Sequence, residues 1–308
     1  MTGAGNGRIL VTGSSGTLGT RLCERLLERG ADLVGADRRG NRWREDIDRL
    51  TIRIDLCDDR EVGSILPDDI STIVHLAANA RVPHSVGDPR LARENMVSLF
   101  NLLEYARDRG IDRILFGSSQ DVYGSRPAAC REEEVDPGQV ESPYAASKIA
   151  GEALLHGYRK CYGIDHVIMR FSGIYGRYDE EDRLIPIFVE RATAGEDLIV
   201  NGTGKELDLI FIDDAVEGIL LGLDRFEKIR NMTVNIGSGR TTGLLDLARI
   251  IIRIGGGRSR IVPGENPPGD ALRCILDITR ARELLGFEPV TDLESGIERY
   301  LDWRRRRG

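Results

Sequence analysis

The sequence predicts an α/β protein built on a doubly wound parallel sheet, followed by a smaller C-terminal α+β lobe that binds substrate. Short apolar runs alternate with helical stretches in the first half, a glycine-rich turn follows the first run, and the alternation ends after Tyr175. Strands are expected near 8–12, 32–37, 51–55, 72–77, 112–118 and 165–171. Ligands bind at the carboxyl ends of strands in such sheets, so functional residues should follow these runs.

A glycine-rich turn follows the first apolar run, with Gly13, Gly16 and Gly19 directly after residues 9–11. Such a turn needs glycine where the backbone takes a positive φ, where it approaches a pyrophosphate, and where helix packs on strand. The next stretch places leucines on one helical stripe, at Leu18, Leu22, Leu26 and Leu27. We therefore predict a Rossmann-type dinucleotide site, with the pyrophosphate at the helix N-terminus.

The second apolar run ends in Asp37, roughly 20 residues after the glycines. A carboxylate at this position accepts hydrogen bonds from the ribose hydroxyls of adenosine. Arg38 and Arg39 follow it, and a guanidinium there can hold the 2′-phosphate of NADP. Because the carboxylate repels that phosphate, we expect NAD as the cofactor.

Tyr144 and Lys148 are four residues apart, which places both side chains on one face of a helix. A free tyrosine is a poor base at neutral pH, but a neighbouring ammonium favours the phenolate. The pair is therefore a candidate for removing a proton from a substrate hydroxyl. The alternative is a surface tyrosine beside a solvated lysine, and the spacing alone does not decide between them.

The three glycines, with Tyr-x-x-x-Lys about 125 residues later, resemble the extended short-chain dehydrogenase/reductase family, and within it the NAD-dependent sugar-nucleotide epimerases and dehydratases. Further matching segments cover nearly the whole chain; they are HLAA at 75–78, NMVSLFNLLE from Asn95, GSSQDVYG at 117–124, RFSGIYG at 170–176, DDAVEGI at 213–219 and DITRARELLGFEP from Asp277. The resemblance implies NAD as cofactor, a nucleotide sugar as substrate and a homodimer formed by the helices over 95–109 and 144–162.

The resemblance also assigns residues to the site. It implies catalytic roles for Ser119, Tyr144 and Lys148, with Asp121 as a further candidate. The implied cofactor-binding residues are Gly13, Ser15, Gly16, Thr17, Leu18, Gly19, Asp37, Arg38, Asp55, Leu56, Leu76, Ala77, Ala78, Asn95, Ser118, Tyr144, Lys148 and Phe171. The implied substrate-binding residues are Arg81, Ser119, Gly173, Lys205 and Arg273. No metal site is expected, because the histidines and cysteines show no ligand spacing.

The implied reaction begins when Tyr144 removes the proton of a sugar hydroxyl while a hydride moves to NAD⁺. A 4-epimerase of a UDP-hexose or UDP-hexuronate then returns the hydride to the other face of the 4-keto intermediate. Similar 4,6-dehydratases carry an aspartate at the position of Gln120, and that aspartate protonates the leaving hydroxyl. The amide of Gln120 cannot do so. Asp121 could act chemically, or could be a turn or helix-cap carboxylate. The alternative function is therefore an NAD-dependent dehydratase, decarboxylase or reductase on an atypical sugar; a dinucleotide-sensing regulator is a third, against which the intact catalytic residues argue.

Three departures from the family pattern concern the substrate. Gly173 replaces the usual asparagine, and Leu207 and Pro267 stand where relatives commonly carry arginines that meet the diphosphate. Replacement charge could come from one of several basic residues, and the sequence does not choose among them: Lys205, Arg258, Arg260 and Arg273, with Arg81 and Arg177 at the pocket mouth.

The composition predicts a globular enzyme subunit, with 41% hydrophobic and 30% charged residues and a net charge of −7. No apolar run approaches the ~20 residues of a membrane span, and the N-terminus lacks the apolar core of a signal peptide. We therefore expect a cytoplasmic protein with reduced cysteines. Arg304–Arg307 should end an amphipathic helix built on Ile297, Tyr300 and Leu301, and we expect no binding to nucleic acid. The NAD-binding domain should span 1–172 and regain 209–237, with 173–308 mainly the substrate lobe.

Overall fold

The computed structural model describes residues 7–179, 182–265 and 273–307. Its strands are β1 (Arg8–Thr12), β2 (Leu33–Asp37), β3 (Thr51–Arg53), β4 (Ile70–His75), β5 (Arg113–Ser119), β6 (Asp165–Phe171), β7 (Gly173–Tyr175), β8 (Leu198–Asn201), β9 (Glu206–Leu207), β10 (Leu209–Phe211), β11 (Met232–Ile236), β12 (Thr242–Gly243), β13 (Ile261–Gly264) and β14 (Arg273–Cys274). Its α-helices are α1 (Thr17–Glu28), α2 (Glu45–Leu50), α3 (Asp59–Ile65), α4 (Val82–Gly87), α5 (Arg90–Arg109), α6 (Pro143–Tyr162), α7 (Leu184–Ala194), α8 (Ile212–Asp224), α9 (Phe226–Ile229), α10 (Leu244–Gly255), α11 (Thr279–Leu285) and α12 (Leu293–Arg305).

The main sheet has seven strands in the order β3-β2-β1-β4-β5-β6-β11, and every neighbouring pair is parallel. The six strands expected from the apolar runs are all present, with ends shifted by at most two residues. The order reverses between β1 and β4, which is the switch point at which such sheets bind ligands. The predicted doubly wound α/β fold is confirmed.

Residues of each strand alternate between two apolar layers, one on each face of the sheet. On β1, Ile9 and Val11 belong to the layer covered by α1 and α8, whereas Leu10 belongs to the layer covered by α5 and α6. This alternation is the period of two that a strand buried on both faces requires. The sheet is therefore sandwiched between helices, and the carboxyl ends of its strands form one edge.

The C-terminal lobe is built from short strand pairs and helices that continue the first apolar layer. Strands β8 and β13 pair in parallel, and β9 lies between β12 and β14. Helix α7 packs against α10, and α12 buries Ile297, Tyr300 and Leu301 as expected. One core cluster spans both the sheet and this lobe. The division into domains at residue 172 stays a prediction.

Asp208 joins the lobe to the end of the main sheet. Its carboxylate is fully buried and accepts backbone N–H groups from Ser238, Gly239 and Leu276, at 2.8, 3.2 and 3.1 Å. A buried carboxylate must be satisfied in this way, so these bonds fix β9, the segment after β11 and the segment after β14 to one another.

Across the described ranges, no helix is long and apolar enough to cross a membrane.

His166 on β6 gives the fold a pH dependence. Its side chain is buried, and neither ring nitrogen has a hydrogen-bond partner within the described residues. Burial, with a smaller contribution from the charge of His156, lowers the pKa of His166 to about 4. In the unfolded chain the same ring titrates near pH ~6.5. Between these values the unfolded state binds a proton that the folded state excludes.

We predict that the free energy of unfolding falls by about 2 kcal/mol from about pH 7 to about pH 5 through this residue alone. The contribution of neutral His166 to the free energy of unfolding is complete above the pKa of the ring in the unfolded chain. It is lost as the pH falls toward the pKa of about 4 in the folded protein. His166→Phe cannot titrate and should flatten the curve by that amount in urea unfolding. His84→Phe, at an exposed position, is the matched control. Equal pH dependence in the wild type and His166→Phe would show that His166 carries no such linkage.

Candidate active site

The glycine turn between β1 and α1 is packed against the end of β4. Gly13 has φ 72°, and a Cβ there would lie 2.7 Å from the backbone nitrogen of Ala77. A Cβ on Gly19 would lie 2.0 Å from the carbonyl oxygen of Gly13, and one on Gly16 would lie 3.2 Å from that oxygen. Gly13 is therefore required by its positive φ and by close backbone approach, and Gly19 by close backbone approach, whereas a side chain at position 16 would be tightly packed. The turn leaves the N-terminus of α1 open to a ligand.

Asp37 is held beside this turn at the end of β2. One carboxylate oxygen accepts the backbone N–H of Ser15 at 3.0 Å and the other accepts that of Arg39 at 2.8 Å. The pocket next to it is lined by ten of the predicted cofactor residues: Gly13, Gly16, Asp37, Arg38, Asp55, Leu56, Leu76, Ala77, Ala78 and Asn95. A bare glycine cradle, a helix N-terminus and a fixed carboxylate fit the pyrophosphate and ribose of a dinucleotide.

Thr17, the first residue of α1, has its hydroxyl engaged within the protein. It donates to the carbonyl oxygen of Tyr178 at 3.0 Å, so its backbone N–H, and not its hydroxyl, is the group available to a phosphate. Tyr178 has φ 67°, a strained conformation for a bulky residue. Its ring is packed against Trp43 and Trp303, with ring centroids 6.0 and 5.5 Å away. This packing stabilises the loop that bonds Thr17.

Asn95 on α5 links the segment after β4 to the helix that carries Tyr144. Its side-chain oxygen accepts the backbone N–H of Asn79 at 2.7 Å, and its amide nitrogen donates to Ser147 Oγ at 3.2 Å. Ser147 Oγ in turn donates to the carbonyl oxygen of Tyr144 at 2.7 Å. Asn95 therefore positions both the pocket wall and the first turn of α6.

Tyr144 and Lys148 lie in the first turns of α6, as the spacing predicts, and both are buried. Ser142 caps the helix by accepting the N–H of Ala145 at 3.2 Å. The Lys148 amine donates to the carbonyl oxygen of Gly117 on β5 at 2.7 Å and lies 5.8 Å from the centre of the Tyr144 ring. The alternative of a solvated surface pair does not agree with this burial. The two side chains lie at the carboxyl end of β5.

The pKa values of the pair differ from the sequence-based expectation. Burial lowers the pKa of Lys148 to about 8, partly offset by Glu152. Burial raises the pKa of Tyr144, and the charge of Asp121 raises it further, whereas Ser119 and Arg183 lower it. Lys148 alone therefore does not produce a phenolate, because desolvation outweighs the nearby cation.

Ser119 ends β5 and bonds to the carboxylate of Asp121. Its hydroxyl donates to Asp121 Oδ2 at 3.1 Å and accepts the Asp121 backbone N–H at 3.2 Å. Ser119, and not Asp121, is thus the cap of the short 3₁₀ helix Gln120–Tyr123, and the choice between a turn role and a chemical role for Asp121 stays open. Burial raises the pKa of Asp121, while Ser119 and the cation of Lys205 lower it. The Asp121 carboxyl therefore lies among the catalytic candidates.

Among the predicted substrate residues, Lys205 is buried, and its pKa is lowered by burial while Asp121 and Glu141 raise it. Gly173 begins β7, and a Cβ there would lie 3.1 Å from the carbonyl oxygen of Asp208, so a larger residue would be tightly packed at this position. The remaining basic candidates are engaged with carboxylates: Arg81 with Asp182, Arg177 with Glu24 and Asp213, Arg260 with Asp197, and Arg273 with Glu206. Arg258 is exposed, Leu207 lies in β9, and Pro267 lies outside the described residues.

The sequence analysis did not identify Glu152, which lies on α6 and bonds that helix to β5 and β6. Glu152 accepts the hydroxyl of Ser118 at 2.6 Å and forms a two-point ion pair with Arg170, at 2.6 and 3.0 Å. It lies four residues after Lys148 on α6, so the helical spacing that identified the lysine could also have identified it. Arg183, whose charge acts on Tyr144, carried no such signal because it belongs to another element.

The sequence profile of the NAD dependent epimerase/dehydratase family matches residues 9–237. The chain belongs to this family. It is 34% identical to the UDP-glucose 4-epimerase of Mycolicibacterium smegmatis over 97% of this chain and 98% of that protein. Its fold is similar to the UDP-glucose 4-epimerase of Thermotoga maritima crystallised with UDP-glucose, with TM-score 0.91, 29% identity and coverage of 97% and 99%. It is also similar to the UDP-glucuronic acid 4-epimerase of Bacillus cereus in complex with UDP-glucuronic acid and NAD, with TM-score 0.90, 27% identity and coverage of 98% and 100%.

Membership of the epimerase/dehydratase family confirms three sequence-based predictions. The protein is an NAD-dependent enzyme of the extended short-chain dehydrogenase/reductase type, in the nucleotide-sugar epimerase class, and its cofactor is NAD. The glycine cradle and Asp37 are the residues that would hold the pyrophosphate and the adenosine ribose. The roles of the individual site residues stay predictions.

Gly19→Ala tests the close approach in the glycine turn. The added methyl group would collide with the Gly13 carbonyl, so we expect a loss of ~1–3 kcal/mol in the free energy of unfolding and a loss of copurified NAD. Gly63→Ala in α3 is the matched control, because nothing lies within 4 Å of a Cβ there. It should keep its NAD and gain up to ~1 kcal/mol. Wild-type stability and NAD content in Gly19→Ala would contradict this account of the turn.

Proposed function

We propose that the protein is an NAD-dependent 4-epimerase of a UDP-hexose or UDP-hexuronate that acts through a transient 4-keto intermediate. The observation that carries this proposal is the meeting of Ser119, Tyr144 and Lys148 at the carboxyl end of β5. This edge of the sheet also holds the dinucleotide pocket. The UDP-sugar substrates of the similar epimerases support the substrate class.

The chain supplies the proton transfer and the positioning for this reaction. The glycine turn and Asp37 would hold NAD, which would supply the hydride acceptor and donor for the sugar carbon. The phenolate of Tyr144 accepts the proton of the sugar hydroxyl, and the Ser119 hydroxyl orients that sugar hydroxyl by hydrogen bonding. Burial raises the pKa of the Tyr144 hydroxyl in the chain alone, and the positive nicotinamide ring of bound NAD⁺ would favour its phenolate. Proton removal is thereby coupled to occupancy of the cofactor site.

Gln120 favours epimerisation over elimination. Its amide has no acidic proton, so it cannot protonate a leaving hydroxyl. The chain offers Asp121 as a second proton-handling group, because burial raises the pKa of its carboxyl and Ser119 hydrogen-bonds to it. This is the observation that favours the alternative function, an NAD-dependent dehydratase, decarboxylase or reductase. The two functions differ in their products.

The test is to incubate the purified enzyme with UDP-glucose, UDP-galactose, UDP-glucuronate and dTDP-glucose, without added cofactor, and to follow the products by NMR. The proposal predicts interconversion of a pair that differs only at C4, with no net reduction of NAD. Tyr144→Phe removes the proton-transfer group and should lower the rate ~100-fold or more. Tyr162→Phe, an exposed tyrosine at the end of the same helix, is the matched control. Loss of water or carbon dioxide, or stoichiometric consumption of NADH, would establish the alternative instead.

We further propose a cytoplasmic homodimer that forms through the outer faces of α5 and α6. These helices pack against each other on one side of the sheet, and Phe100 on α5 is 46% exposed beside Tyr158. Burying an aromatic side chain in a second copy would stabilise such a contact. Light scattering should give twice the mass of one chain. A mass near that of a single chain at micromolar concentration would contradict the dimer.

A further inference from the structure

The guanidinium of Arg38 forms hydrogen bonds to two other side chains in the lining of the pocket that contains Asp37. Arg38 follows Asp37 at the end of β2, and its side chain extends toward α5. One terminal nitrogen donates to Asn79 Oδ1 at 2.7 Å, and the other donates to Glu94 Oε2 at 3.3 Å. Arg38, Asn79 and Glu94 all line the pocket that holds Asp37. The cation next to the ribose carboxylate therefore already has an anionic partner.

Glu94 is itself fixed where it meets this guanidinium. The amide nitrogen of Asn79 donates to Glu94 Oε2 at 2.9 Å and to the carbonyl oxygen of Leu91 at 3.2 Å. The backbone of Asn79 is bonded to Asn95. These contacts hold Glu94 in a defined position, although its side chain is 35% exposed and that of Arg38 is 53% exposed. The contact among the three side chains is thus built into the pocket wall.

We propose that Glu94 is a cofactor-specificity residue that enforces NAD over NADP by withholding Arg38 from a 2′-phosphate. A 2′-phosphate carries two negative charges and needs a guanidinium partner, whereas the 2′-hydroxyl of NAD needs none. Glu94 neutralises that guanidinium and adds a second carboxylate to a pocket that already contains Asp37. The inference rests on the cofactor site and goes beyond the proposed epimerase activity.

The size of the effects makes this role separable from stability. An ion pair this exposed contributes little to the free energy of folding, so losing it should not unfold the protein. A hydrogen bond from a guanidinium to a phosphate is among the stronger ones in proteins. Glu94→Gln keeps the shape of the side chain and a hydrogen-bond acceptor, but removes the charge that competes with a phosphate.

The experiment is isothermal titration calorimetry of NAD⁺ and NADP⁺ with the full chain, freed of copurified cofactor. Glu94→Gln should bind NADP⁺ about tenfold more tightly than wild type, the effect of about one hydrogen bond to a charged group. Its affinity for NAD⁺ should change much less than its affinity for NADP⁺, because the 2′-hydroxyl of NAD needs no guanidinium partner. Arg38→Leu alone should leave the weak NADP⁺ binding as it is, and Glu94→Gln with Arg38→Leu should lose the gain. Asp108→Asn removes one charge from the far end of the same helix and is the matched control.

Two outcomes would overturn the proposal. If Glu94→Gln binds NADP⁺ no better than the wild type or Asp108→Asn, Glu94 does not set cofactor choice. If the gain persists in the double variant, Glu94 acts by repulsion alone and the role given to Arg38 is wrong. The ratio of NADP to NAD extracted from each variant as purified should follow the calorimetry. No sugar substrate is used, so this test and the product assay fail independently.

Discussion

The buried ion pair between Glu152 on α6 and Arg170 on β6 is the constraint on which the active-site geometry depends. Both side chains are less than 9% exposed. Two guanidinium nitrogens of Arg170 donate to the two carboxylate oxygens of Glu152, at 2.6 and 3.0 Å. A buried charge that loses its partner costs several kcal/mol, so the pair admits one register of helix against sheet. Ser118 donates to the same carboxylate, which ties β5 into the pair. Lys148 lies one turn before Glu152.

The same arginine extends this constraint to the segments around the pocket. Arg170 donates to the hydroxyl of Tyr123 and to the carbonyl oxygen of Glu132, each at 2.8 Å. Tyr123 in turn donates to Asn235 on β11 at 2.7 Å. The 3₁₀ helix that follows Ser119 and the last strand of the sheet are therefore held by one network. Such support lets a catalytic group act without reorganising at the moment of reaction.

Features set by local spacing were predictable from the sequence, and features set by tertiary burial were not. The glycine turn, Asp37 and the pairing of Tyr144 with Lys148 were predictable because residue types at fixed spacings identify them, even though the contacts of Gly13 and Asp37 join distant parts of the chain. The raised pKa of Tyr144 could not be predicted, because desolvation depends on what the fold packs around the hydroxyl. Neither could the partner of Arg38, which lies 56 residues away on another element.

The central claim is that one rigid frame brings the nicotinamide of NAD and the hydroxyl of Tyr144 to the same carbon of a sugar. A crystal structure of the chain with NAD⁺ and a UDP-sugar tests it most directly. The account predicts the nicotinamide ring beside Tyr144 at the carboxyl end of β5, with the hydroxyl within hydrogen-bond distance of the sugar O4 and the Glu152–Arg170 pair unchanged. A nicotinamide bound away from Tyr144, or a sugar that contacts the tyrosine through another hydroxyl, would contradict it.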